Sequence, residues 1–207
     1  MNIEEKLNMT MLCDFYELTM GNGYFENGFK DKITYFDVFF RRVPDQGGFA
    51  IAAGLEQLID YIENLHFTQE DIAYLRGRNL FCEEFLEYLA NFRFTGDIYA
   101  VPEGTPVFPK EPLVVVRAPA IEAQLIETFT LLTINHQSLI ATKASATAAM
   151  TRTPRRGPLS GRPTAAIMTS IWHCTPTPSE TAPPRPPPGA SSPFTIPAAP
   201  AGSGERS

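Results

Sequence analysis

The chain has 207 residues, 43% hydrophobic and 19% charged, with a formal net charge of −6, a composition ordinary for a soluble protein of one large or two small domains. That acidic balance excludes a general nucleic-acid binder, while leaving room for a local basic pocket for a phosphorylated small molecule. The charge is unevenly spread: residues 1–145 hold 21 of the 22 Phe and Tyr side chains and most of the acidic ones, whereas 146–207 hold six Arg, two Glu and no Lys.

At the amino terminus, "MNIEEKLNMT" has neither a basic segment nor an apolar signal core, and no apolar run reaches the roughly 18 residues of a membrane span. The reading is a cytoplasmic protein with no membrane partner. Cys13, Cys82 and Cys174 form no CxxC pair, and Cys13 and Cys82 are expected to be ordinary buried thiols.

In chain order, "MLCDFYELTMGNGYF" predicts a helix whose face is Leu12, Phe15, Leu18 and Thr19, ending at Gly21 and Gly23. Asp14 and Tyr16 stand apart from that face. They fit a helix-start cap and a half-buried aromatic, or else an aromatic platform for a flat ligand. "KITYFDVFFRRVP" reads as a strand with Phe36, Val38 and Phe40 on one side and Tyr35, Asp37, Phe39 and Arg41 on the other. Its end, Arg41 and Arg42, fits either a solvated edge or a grip for phosphate, since a guanidinium binds oxyanions through parallel donors.

The glycines of "QGGFAIAAG" predict a turn before a helix with Leu55, Leu58, Ile59, Ile62 and Leu65 on one face. Thr68 followed by Asp71 signals a capping box for a short helix through Leu75, and Phe81, Phe85, Leu86 and Leu89 mark another apolar face. Strands are expected over Ile98–Val101 and Leu113–Arg117, with turns between them at Gly104, Pro106, Pro109 and Pro112. A long helix follows over 121–145, split near Asn135, with Leu125, Phe129, Leu132 and Ile140 available for burial and Glu122, Gln124 and Glu127 fitting a solvated face. His136 has no ligand-spaced neighbours, so an ordinary hydrogen-bonded histidine and no metal site are expected.

The ordered set "MLCDFYELTMGNGYF", "TYFDVFFRRVPDQGGFAIAAGLEQLIDYI", "FTGDIYAVPEGTPVFPKEPLVVVRAPAIEAQLIET" and "NHQSLIATKAS" resembles the amino-terminal part of the nicotinate phosphoribosyltransferase family, over about residues 7–145. The resemblance implies an α+β fold: the amino-terminal domain of a type II phosphoribosyltransferase, with most of the irregular α/β barrel missing here and a homodimer in an intact relative. It implies the joining of nicotinate to phosphoribosyl pyrophosphate, giving nicotinate mononucleotide and pyrophosphate in NAD salvage. ATP assists through a phosphorylated histidine, and Mg²⁺ neutralises the pyrophosphate as charge develops on it. By the same resemblance, Tyr16 packs on nicotinate near the dimer interface and Asp14 organises that edge. Arg41, with Arg42 as the less direct match, faces the phosphate of the phosphoribosyl group.

After "LIATKAS" the family text should continue into the barrel, but this chain gives "ATAAMTRTPRRGPLSGRPTAAIMTS". His173, in "IWHCTP", lacks the context of the phosphorylated histidine, so no catalytic residue is assigned. The sequence therefore divides into a family-like region, 1–145, and a Pro/Ala/Thr/Arg-rich tail, 146–207, that resembles out-of-frame translation and is expected to be disordered over most of 151–207. A second reading stays open, that of a non-catalytic binding or interaction protein using the amino-terminal domain or the Pro-rich tail, where "PPRPPPG" fits an aromatic groove. On the first reading the isolated chain is expected to be inactive.

Overall fold

A computed structural model of the chain describes residues 8–43, 47–152 and 175–176. The fold is α+β, built on an antiparallel sheet with helices packed against it. The predicted disorder of 151–207, His173 and the "PPRPPPG" segment lie outside the described residues, apart from 151–152 and 175–176.

Strand β1 (Ile33–Phe39) alternates half-buried and buried positions, as a period of two requires, and Phe36, Val38 and then Phe40 face the core. It pairs antiparallel with β5 (Pro112–Pro119), from Ile33 opposite Pro119 to Phe39 opposite Pro112. β5 in turn pairs with β3 (Asp97–Ala100). Flanked by strands on both sides, β5 buries four residues in succession, Leu113 to Val116. On the other edge of β1, Thr34 and Tyr35 pair with the two-residue strand β6 (Thr175–Pro176). A second, two-stranded ladder joins β2 (Ala50–Ile51) to β4 (Pro106–Val107), inside the interval predicted as turns only.

Helix α1 (Phe15–Glu26) runs through both glycines expected to end it. Gly21 is instead a packing position, where an added Cβ would stand 3.2 Å from the Phe85 ring. The predicted face of α1 is also corrected: of its four residues only Leu18 is buried, and Glu17, Gly21 and Asn22 share the inner face with it. α2 (Leu55–Glu63) buries Leu58 and Ile62 of its predicted face, with Leu65 buried just beyond it, while Leu55 and Ile59 are half-buried and Tyr61 is buried in addition. α3 (Gln69–Gly77) starts with the expected reciprocal capping box of Thr68 and Asp71, and α4 (Glu83–Ala90) buries Phe85, Leu86 and Leu89.

The long helical stretch after β5 breaks at Ile126, between α5 (Ala120–Leu125) and α6 (Glu127–Arg152), and not at Asn135. Leu132 and Ile140 are 52% and 53% exposed, so the expected burial of that stripe holds for Leu125 alone, with Phe129 half-buried. The break falls where α1 supplies polar partners to the first turn of α6, a tertiary cause that helical periodicity does not carry. α6 continues past Ser145 to Arg152. α1 packs on α5, α5 lies on β1 and β5, and α6 packs against β2 and α2, so the start of α1 meets the start of α6 at the rim of the core.

Candidate ligand-facing edge at the start of α1

Asp14 occupies the N-cap position of α1 in extended backbone, but its side chain makes no capping hydrogen bond. Its backbone N–H donates to the Thr128 hydroxyl at 3.2 Å. Two residues on, Tyr16 is 45% exposed, and its hydroxyl donates to Glu127 Oε2 at 2.8 Å. Gln124 Nε2 donates to the same oxygen, also at 2.8 Å. The ring is therefore open to solvent while its far end is anchored to a buried carboxyl group. Burial, then the hydrogen bond to Glu127, raises the Tyr16 phenol, which stays a neutral donor at physiological pH.

Glu17 points the other way. Successive residues of a helix are turned by about 100° from one another, so Tyr16 can face out while Glu17 faces in. Glu17 is 0% exposed, and its Oε1 accepts from the Thr128 N–H at 3.1 Å and the Thr128 hydroxyl at 2.6 Å. Its Oε2 is buried with no hydrogen-bond partner among the described residues. Burial pushes the Glu17 carboxyl up to about 7 against the opposing pull of the Thr128 hydrogen bonds, and the neighbouring Glu127 adds to the rise. Glu127 is raised for the same first reason, burial.

Sequence reasoning singled out Asp14 and Tyr16 here, and the structure brings both to this edge. It missed Glu17 and Thr128 and placed Gln124 and Glu127 on a solvated face. Both of those are buried, as is Glu122, which accepts from the Thr95 N–H and hydroxyl. A usable signal existed in "AIEAQLIETF": apolar residues flank Glu122 and Gln124 on both sides and enclose the Glu127–Thr128 pair, leaving no wide polar face for water.

Arg41 and Arg42 follow the other end of β1. Arg41 is half-buried, and its Nε is buried with no hydrogen-bond partner among the described residues, a donor that suits an oxyanion. Arg42 is exposed. The described hydrogen bonds and ion pairs join neither arginine to Asp14 or Tyr16. Cys13 and Cys82 are free and half-buried, and burial pushes the Cys13 thiol up to about 12, which leaves it a poor nucleophile. His136 lies exposed on α6. Among the described residues no three His, Cys, Asp or Glu side chains gather to hold a metal ion, and no helix is long and apolar enough to cross a membrane. A cavity of about 370 Å³ lies between the residues around Thr10, Tyr61, His66 and Phe129, and none of the four candidate residues lines it.

Residues 11–135 match the family model described as the nicotinate phosphoribosyltransferase (NAPRTase) N-terminal domain. The nicotinate phosphoribosyltransferase of Bacillus subtilis (strain 168) is 47% identical over 138 residues, covering 67% of this chain and 28% of that protein. The Caenorhabditis elegans nicotinate phosphoribosyltransferase is 41% identical over 148 residues, covering 70% of this chain and 26% of that one. The crystal structure of human nicotinic acid phosphoribosyltransferase superposes with a TM-score of 0.66 at 29% identity, covering 73% of this chain and 32% of that chain. The chain thus spans less than a third of each of these relatives.

Proposed function

Because the chain belongs to the nicotinate phosphoribosyltransferase family, we propose that it supplies the nicotinate-facing edge of an enzyme that joins nicotinate to phosphoribosyl pyrophosphate. The products are nicotinate mononucleotide and pyrophosphate, in cytoplasmic NAD salvage. The match over residues 11–135 carries this reading, since it spans all four candidate residues.

Tyr16 offers its ring as a wall for the flat pyridine ring of nicotinate. An exposed aromatic face anchored through its hydroxyl supports this role, because a ring held at its far end loses little freedom when a ligand stacks on it. Asp14 organises the same edge through the backbone contact that ties the start of α1 to Thr128. Arg41 binds the phosphate of the phosphoribosyl group through its Nε donor, with Arg42 beside it. The proposed enzyme is a homodimer that takes ATP and Mg²⁺, and the metal, held by the pyrophosphate, would supply charge neutralisation there.

The proposal assigns the full reaction to the longer architecture, since this chain spans 28% of the Bacillus subtilis relative. The 207 residues alone are expected to release no pyrophosphate from phosphoribosyl pyrophosphate and nicotinate, and measurable turnover by them would overturn that expectation. In a full-length family member, alanine at the tyrosine aligned with Tyr16 should raise KM for nicotinate about tenfold and leave KM for phosphoribosyl pyrophosphate unchanged. Unchanged steady-state kinetics would remove Tyr16 from the ligand wall.

A further inference from the structure

Two neighbouring residues of α1 grip two neighbouring residues at the start of α6. On the outer side the Tyr16 hydroxyl donates to Glu127, and on the inner side Glu17 Oε1 receives both the N–H and the hydroxyl of Thr128. The first amides of a helix have no partner within it, and here one of them is met by a carboxyl group from 111 residues earlier. The Thr128 hydroxyl donates a hydrogen bond to Glu17 and accepts one from the Asp14 N–H, so one side chain of α6 holds the start of α1 at two points.

We infer that Glu17 is a positioning residue for the Tyr16 ring: by holding Thr128 it fixes the start of α6, and with it the Glu127 carboxyl group that fixes the tyrosine hydroxyl. The role rests on the proposal that Tyr16 forms the nicotinate wall. A carboxyl group at 0% exposure with one oxygen lacking a partner among the described residues is a costly way to close a core. Local rules broken beside a ligand-facing residue mark places where position outweighs stability. Gln124 holds Glu127 from its own side, so the carboxyl group that receives Tyr16 is fixed both along the chain and across it.

The test uses the 207-residue chain and two readouts at neutral pH: the nuclear Overhauser contact between the Tyr16 ring and the Glu127 side chain, and saturation transfer to nicotinate. Thr128→Val removes the hydroxyl without changing charge. It should weaken the Tyr16–Glu127 contact at least fivefold and raise the dissociation constant for nicotinate by a similar factor, while Thr128→Ser preserves both. Glu17→Ala should match Thr128→Val, and Glu17→Gln, which keeps an acceptor oxygen, should retain the contact. A folded Thr128→Val or Glu17→Ala chain with a full-strength contact overturns the positioning role. If Glu17→Ala fails to fold, the Thr128 pair and Glu17→Gln decide the matter. A wild-type chain that gives the contact but no nicotinate signal sinks the ligand-wall reading, while the contact alone still decides whether Glu17 positions Tyr16.

Discussion

The first turns of α3 and α6 meet the same need in opposite ways. In α3, Thr68 Oγ1 accepts from the Asp71 N–H at 3.2 Å and Asp71 Oδ2 accepts from the Thr68 N–H at 2.8 Å, across three residues of sequence. In α6, a threonine and a carboxyl group again satisfy a first-turn amide, but Thr128 and Glu17 are 111 residues apart. The start of α2 resembles α6: Glu103 Oε1 accepts the N–H groups of Gly54 and Leu55, each at 2.8 Å, from the turn before β4. A local cap stabilises one helix and leaves its place in the fold open. A remote cap also ties two elements together, so it fixes position as well as helicity.

The sharpest way to separate the two kinds of cap is pH. Glu17 stands at about 7 in the folded protein against its ordinary 4.5, so the folded state holds this proton more tightly than the unfolded chain does. Its contribution is full below about pH 4.5 and is lost as pH rises through 7. Urea unfolding should therefore show about 2.5 kcal/mol less stability at pH 8 than at pH 5. Burial raises Glu122 and Glu127 as well, which acts in the same direction. Glu17→Gln should flatten most of this slope, and an equal slope in wild type and variant would show that Glu17 is not its source.

Cutting the remote caps outright comes next. Glu17→Ala leaves the Thr128 N–H buried without its partner and should cost roughly 2 kcal/mol at pH 5, where the carboxyl group is protonated. Glu103→Ala exposes the start of α2 and should cost about 1.5 kcal/mol, because water can reach the freed amides. The smallest effect is expected from the local cap: Thr68→Ala should cost about 1 kcal/mol and leave the contact between Tyr16 and Glu127 unchanged. A Thr68 variant that disturbed Tyr16 would erase the distinction between local and remote caps.

The legible parts of the fold share one property. β1 shows its buried face in strict alternation because one side of the strand meets the core along its length. α4 announces Phe85, Leu86 and Leu89 by helical spacing, and α3 announces its cap by residues three apart. Each signal concerns atoms that local geometry already brings together. The failures share the opposite property. Gly21 reads as a helix stop because glycine is a poor helix former, but the Phe85 ring from another helix occupies the space that a side chain there would need. The turn between α5 and α6 lies at Ile126, where Glu17 receives the Thr128 amide in the first turn that follows.

The candidate edge divides in the same way. Tyr16 and Asp14 stood out as polar or aromatic residues off the apolar pattern, and Arg41 and Arg42 as a paired cation at the end of a strand. Glu17 had no such mark, since a glutamate beside a tyrosine on an amphipathic helix is ordinarily solvated. By itself the sequence determined the family and most elements of the fold, and it singled out Asp14, Tyr16, Arg41 and Arg42 as candidates. Only the tertiary structure decided which carboxyl groups are buried, where α6 begins, and what holds the Tyr16 ring, because those depend on partners that the chain brings together from 111 residues apart.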